Sequence, residues 1–161
     1  MVRNKIVAFL AAAALLSVSA VSADAPYTDL GSLTDRAAVD YLYDVQCLTF
    51  ITGTSFEPDR VLTRGDLAQL LYNSVANIPL APLGAASYGD VPSGTAGDAM
   101  NSVAAQGILA GYEDGNFHPE APVSREEFAG VLYRYLQYNH LADPDQDVKP
   151  YADAASIAPA Y

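Results

Sequence analysis

Four stretches of the chain carry apolar side chains three and four positions apart, and each predicts an amphipathic helix. Thr34 to Gln46 places Ala38, Tyr41, Leu42 and Val45 on one face, and Arg64 to Ala76 places Leu67, Leu70, Leu71 and Val75. Ala96 to Gln106 repeats the first pattern through Ala99, Met100, Val103 and Ala104, with Gly107 as its C-terminal stop. Arg125 to Tyr138 repeats the second through Phe128, Val131, Leu132 and Tyr135. Residues 47–62 connect the first pair, and the proline- and glycine-rich stretch 77–94 separates the pairs. The pattern predicts an all-α fold of helix–loop–helix units packed as a bundle.

The two pairs are copies. Asp29 and Asp90, Phe56 and Phe117, Arg64 and Arg125, and Leu71 and Leu132 each stand 61 positions apart. A fixed period marks units that bury their faces against one another. Each second helix opens on a capping box, Thr63 with Asp66 and Ser124 with Glu127. Within each box the cap residue is followed by an arginine at the first helical position, where a cation opposes the helix dipole. Arginines there are most often solvated surface residues; a repeated one beside a glycine or proline loop suits the bidentate holding of a carboxylate. Tyr151-Ala152-Asp153 opens a third copy. The predicted organisation is a leader at 1–23, a first repeat at 24–78, a linker at 79–87 and a second repeat at 88–140. An acidic linker at 141–150 and the start of a third repeat at 151–161 complete it.

The order aromatic-x-Asp-Val, first helix, Gly107-Ile108-x-x-Gly111-Tyr112-x-Asp114-Gly115-x-Phe117-x-Pro119, then Ser124-Arg125-x-Glu127-Phe128 resembles the S-layer homology (SLH) domain. The second repeat, Tyr88–Tyr138, carries the resemblance over nearly its whole length. The first keeps Asp29, Phe56, Pro58, Thr63 and Arg64, but Phe50 and Thr54 stand where Gly111 and Gly115 stand, and the chain has no tryptophan. The resemblance implies a non-catalytic module that tethers an exported or S-layer protein to the cell surface. It would bind an anionic, pyruvylated secondary cell-wall polysaccharide non-covalently, in grooves between the prongs of a three-repeat spindle. Carried over by position, Arg64 and Arg125 would contact the anionic sugar, with Glu127 of the same motif in the site. Asp29 and Asp90 would line the grooves and accept sugar hydroxyls, and Gly111 and Gly115 would let backbone approach the ligand. The alternatives are direct peptidoglycan binding, a self-assembling envelope protein without a glycan site, and arginines that merely salt-bridge Asp29 and Asp90. An incomplete third repeat would leave apolar faces open and favour self-association.

Composition narrows the partners. The net charge of −11 argues against nucleic acid, which demands a basic face. Met1–Ala23 reads as a secretory signal, with Arg3 and Lys5 before an apolar run, Ile6 to Leu16, that is short of the ~20 residues a membrane span needs. The expected location is the cell wall or S-layer surface, with no span once the leader is removed. Cys47, the lone cysteine, excludes an internal disulfide and reads as a small buried hydrophobe rather than a nucleophile. Asp143, Asp145 and Asp147 imitate a calcium loop, but Val148 and Ala154 stand where that loop needs Gly and Glu. Tyr112-Glu113-Asp114-Gly115 reads as an Asp-Gly turn in preference to a cation site. The esterase, zinc-protease and phosphate-loop motifs are missing, so no enzyme, cofactor or metal is expected.

Overall fold

The computed structural model describes residues 24–74, 78–81 and 87–141. They form four helices: α1 (Arg36–Asp44), α2 (Arg64–Asn73), α3 (Thr95–Ala105) and α4 (Arg125–Tyr138), with a 3₁₀ turn at Leu30–Ser32. No strand occurs among the described residues, where an isolated bridge joins Thr63 to Pro122. The fold is all-α, as the periodicity predicts. The leader, Val75 and Ala76, the calcium-like acids from Asp143 and the third-repeat opening at Tyr151 lie outside the described residues.

The caps set the helix starts. Thr63 accepts the Asp66 N–H at 3.2 Å while the Asp66 carboxylate accepts the Thr63 N–H at 3.1 Å, so α2 has its full capping box. On α4, Ser124 accepts the Glu127 N–H at 3.0 Å, but the reciprocal half is absent because the Glu127 carboxylate is drawn to Arg64. Helix α1 starts later than predicted, after Asp35, whose carboxylate accepts the Ala38 N–H at 3.3 Å.

The predicted faces hold for α3, where Ala99, Met100 and Val103 are buried, and shift for α1 and α4. In α1 the buried residue is Val39, while Tyr41 is exposed. The segment 25–30 causes this rotation: the Ala25 N–H binds Asp40 at 3.0 Å, and Ala25, Tyr27 and Leu30 close over Val39 and Leu48. In α4 the inward line runs through Glu127 and Val131, since Glu127 must reach Arg64; Phe128 and Leu132 are left exposed.

The two repeats interlock. Leu67, Ala68 and Leu71 of α2 leave the first unit and join Met100, Val103, Ile108, Phe117 and Val131 in the second core. The free N–H groups at the start of α2 are taken by the other repeat: Arg64 N–H by Ala121 O at 3.0 Å and Gly65 N–H by Pro119 O at 2.8 Å. Glycine permits that approach, because a Cβ at residue 65 would lie 3.1 Å from Pro119 O and 2.9 Å from the Met100 side chain.

Within each repeat the same device folds the loop back. Asp29 accepts the N–H groups of Phe56 and Glu57, both at 2.8 Å, and Asp90 those of Phe117 and His118 at 2.9 and 2.7 Å. Glu57 and His118 share the left-handed backbone (φ 58° and 55°). The rings of Tyr27 and Phe56 lie 5.5 Å apart, and those of Tyr88 and Phe117 5.6 Å.

Candidate functional site

The loop between α3 and α4 roofs a cavity of about 850 Å³, a volume within the ~300–1,000 Å³ of ligand pockets. The roof is a tight structure. Gly115 N–H donates to Tyr112 O at 3.1 Å, Tyr112 N–H to Asn116 O at 2.8 Å, and Asn116 N–H to Asp114 Oδ1 at 2.9 Å. Gly115 supplies the left-handed backbone this Asp-Gly turn requires (φ 82°). Arg64, Gly111, Tyr112, Glu113, Asp114, His118, Glu127 and Arg134 are among the residues that border the space below.

Arg64 reaches across from α2 and is spent on structure. Its Nε donates to Phe117 O at 2.8 Å, its Nη2 to Ala110 O at 2.6 Å, and its Nη1 to the Glu127 carboxylate. The guanidinium lies 4.5 Å from the centre of the Tyr112 ring and 4.9 Å from that of Phe117. Only 2% of Arg64 is exposed. The cation that opposes the dipole of α2 is therefore neutralised by an acid of α4.

The rim is polar and aromatic. Tyr112 is 43% exposed with its ring braced on Arg64. His118 Nε2 meets Asp114 Oδ2 at 2.6 Å and sets its ring edge-on to Tyr112, with centroids 5.3 Å apart. The Asn116 N–H and then His118 hold the Asp114 carboxyl below the ordinary carboxylate range. Arg134, half-buried on α4, donates from Nε to Ile108 O at 2.9 Å.

Of the residues expected at a ligand, the cavity gathers Arg64, Gly111 and Glu127. Arg125 is in a separate groove of about 520 Å³ with Leu62, Ser124, Phe128 and Leu132, exposed and without a side-chain partner among the described residues. Asp29 and Asp90 lie outside this cavity and their carboxylates hold the loop backbones, while Asp90 is exposed and borders a separate groove of about 550 Å³ with Gly65, Asp66 and Met100. The Phe56 and Glu57 N–H groups take the Asp29 carboxyl down to about 2. Partial burial pushes Asp90 up, but the Phe117 and His118 N–H groups outweigh it and leave it lowered. Neither aspartate pairs with a helix-start arginine, so that alternative is corrected: Arg64 pairs with Glu127. Gly111 is glycine because a Cβ there would lie 2.2 Å from Tyr88 Cε1, and its N–H donates to the Tyr88 hydroxyl at 2.9 Å. Gly115 serves the turn. Cys47 is buried, as expected, and burial pushes its thiol up. Tyr112, His118 and Arg134 were not singled out from sequence as site residues; Arg134 was legible only through its register with Asn73.

Residues 87–129 match the S-layer homology domain. The chain carries an SLH domain. The match falls on the second repeat, so the SLH loop is the roof of the cavity. Cell surface glycoprotein 1 of Acetivibrio thermocellus is 32% identical over 84 residues, covering 51% of this chain and 4% of that protein. Outer membrane protein SlpA of Thermus thermophilus is 40% identical over 55 residues, covering 34% of this chain and 6% of that protein. The chain thus spans a small fraction of the curated relatives it matches. Among the described residues no helix is long and apolar enough to cross a membrane.

Proposed function

We propose that this SLH module holds a cell-wall polysaccharide non-covalently in the cavity beneath the 107–119 loop, and so tethers an exported protein to the cell surface. The observation that carries the reading is the make-up of that cavity. A braced, exposed Tyr112 offers a face for a sugar ring, and His118, Asp114 and Arg134 offer polar partners around it. Of the three carboxylates that border the cavity, Glu127 is committed to Arg64 and Asp114 to His118, which leaves Glu113 alone unpaired among the described residues, whereas glycoside hydrolysis needs two positioned carboxylates free to act. This supports binding without catalysis. The SLH match favours an anionic, pyruvylated secondary polymer, with peptidoglycan itself as the alternative ligand.

The test is co-sedimentation of the chain from Asp24 with cell-wall sacculi, intact or stripped of secondary polymer by acid. Binding that is lost on stripping supports the secondary polymer. Equal binding to both preparations points to peptidoglycan. A folded chain that binds neither overturns the reading.

A second reading, self-assembly, is favoured by a different observation. Phe128 and Leu132 are 41% and 39% exposed, whereas their counterparts Leu67 and Leu71 are buried in the second core. With Leu62 they form an apolar face around Arg125 that a second copy would cover. Sedimentation velocity across a concentration series tests it: association that Leu132→Glu abolishes supports the reading, and a monomer at every concentration refutes it.

A further inference from the structure

We propose that Arg134, rather than Arg64 or Arg125, is the side chain that grips the acidic group of the ligand in this cavity. The inference rests on the glycan-binding reading above.

The internal register isolates what Arg134 adds. It stands 61 positions after Asn73, and each side chain donates to the same repeat-equivalent carbonyl. Asn73 Nδ2 lies 3.5 Å from Cys47 O, and Arg134 Nε lies 2.9 Å from Ile108 O. The asparagine reaches that carbonyl only at the edge of hydrogen-bond range, its shorter bond going to Thr49 Oγ1 at 2.9 Å, so the loop needs no more than a weak tie there. The guanidinium makes that bond with Nε alone and, among the described residues, keeps both terminal nitrogens in surplus, a planar fork matched to an oxyanion.

Charge pairing within the cavity points the same way. Arg64 is neutralised by Glu127, and His118 is set against Asp114. Arg134 borders the same cavity and is its one cation without an ion pair among the described residues, as Glu113 is its one acid without one. Arg64 has all three nitrogens engaged and is almost wholly buried. Arg125 faces a different groove. Arg134 is also positioned before any ligand arrives, because its base is on a helix and its Nε is tied to a carbonyl, so little side-chain freedom is lost on binding. The ligand this arrangement fits is a sugar carrying an oxyanion, with the anion on the Arg134 fork and the ring against Tyr112.

The experiment compares the parent chain from Asp24 with Arg134→Asn, which installs the residue that the first repeat uses for the same bond, and with Arg134→Lys. Thermal melts of all three establish that the fold is kept. The probes are sacculi left intact, sacculi whose carboxyl groups have been reduced, and sacculi dephosphorylated with hydrofluoric acid. On intact sacculi, Arg134→Asn should bind about tenfold more weakly or worse, with Arg134→Lys between it and the parent. The parent should lose a similar factor on the carboxyl-reduced wall if the anion is a carboxylate, or on the dephosphorylated wall if it is a phosphate. Arg134→Asn should be indifferent to that treatment. A folded Arg134→Asn that binds intact sacculi as tightly as the parent overturns the assignment and leaves the glycan reading standing. A parent that binds no sacculi removes both.

Discussion

Replacing Arg64 with methionine removes the charge while keeping much of the side chain, and it strands Glu127, itself buried, without a partner. Breaking a buried pair from one side costs about 3–5 kcal/mol, because the remaining charge is left desolvated. The carbonyl of buried Phe117 also loses its donor, a loss of about 1 kcal/mol. Domains of this size have roughly 5–15 kcal/mol in all, so the variant should lose about a quarter of its stability or more. With a urea slope of about 1–3 kcal/mol per molar, the midpoint should fall by at least ~1 M, read by circular dichroism at 222 nm. Glu127→Leu should cost a comparable amount by stranding Arg64. The double variant removes both charges, so its loss should fall well short of the two single losses combined, with a coupling energy of at least ~2 kcal/mol. Losses that simply add, or an Arg64→Met shift within ~0.5 kcal/mol, would refute the view that Arg64 stitches the repeats together. Arg64 would then return as a candidate for direct ligand contact.

Arg125→Ala, at the repeat-equivalent but solvated position, should change the unfolding free energy by less than ~0.5 kcal/mol, checked in the same urea titration. Tyr88→Phe should cost about 1 kcal/mol by stranding the Gly111 N–H, whereas Tyr27→Phe should be neutral or stabilising. Paired thermal melts decide between them. Asp29 titrates at about 2 when folded, below the ~3.9 of an unfolded aspartate. Its contribution is therefore fully present above the unfolded value and is lost as pH falls from about 4 toward 2. Asp29→Asn should flatten the stability–pH curve in that window, and an unchanged acid limb would sink the argument.

What the sequence made legible was local. The start of α2 and both ends of α4 agree with the structure because caps are read within four residues, and the 61-residue register holds down to paired left-handed residues at Glu57 and His118. The destination of Arg64 was not legible. Its partner Glu127 is 63 residues away, already assigned to a capping box, and nothing local distinguishes a solvated helix-start arginine from one that crosses to another repeat. The faces of α1 and α4 were misjudged for a related reason: periodicity locates an apolar stripe, but Ala25 on Asp40 and Glu127 on Arg64 decide which side turns inward.

The same comparison explains why, among the described residues, the two copies of one unit do not carry the same cavity. Gly111 admits the Tyr88 ring and bonds its hydroxyl; Phe50 stands there in the first repeat, and the Tyr27 hydroxyl is buried without a partner among the described residues. Arg134 ties its loop and has a fork to spare among the described residues; Asn73 stands there in the first repeat, and its amide is taken by Thr49 Oγ1 at 2.9 Å and, more loosely, by Cys47 O. The first repeat thus lacks the glycine-shaped roof and the surplus cation together, while it keeps the aspartate, the aromatic pair and the capped arginine that hold a loop in place. What it retains is the part that supports its neighbour, since Arg64 and Leu67 are built into the second repeat's cavity and core. Grafting both differences, Phe50→Gly with Asn73→Arg, should therefore give the first repeat a Tyr27 hydroxyl bonded by a backbone N–H and a second free guanidinium. Neither change alone supplies both.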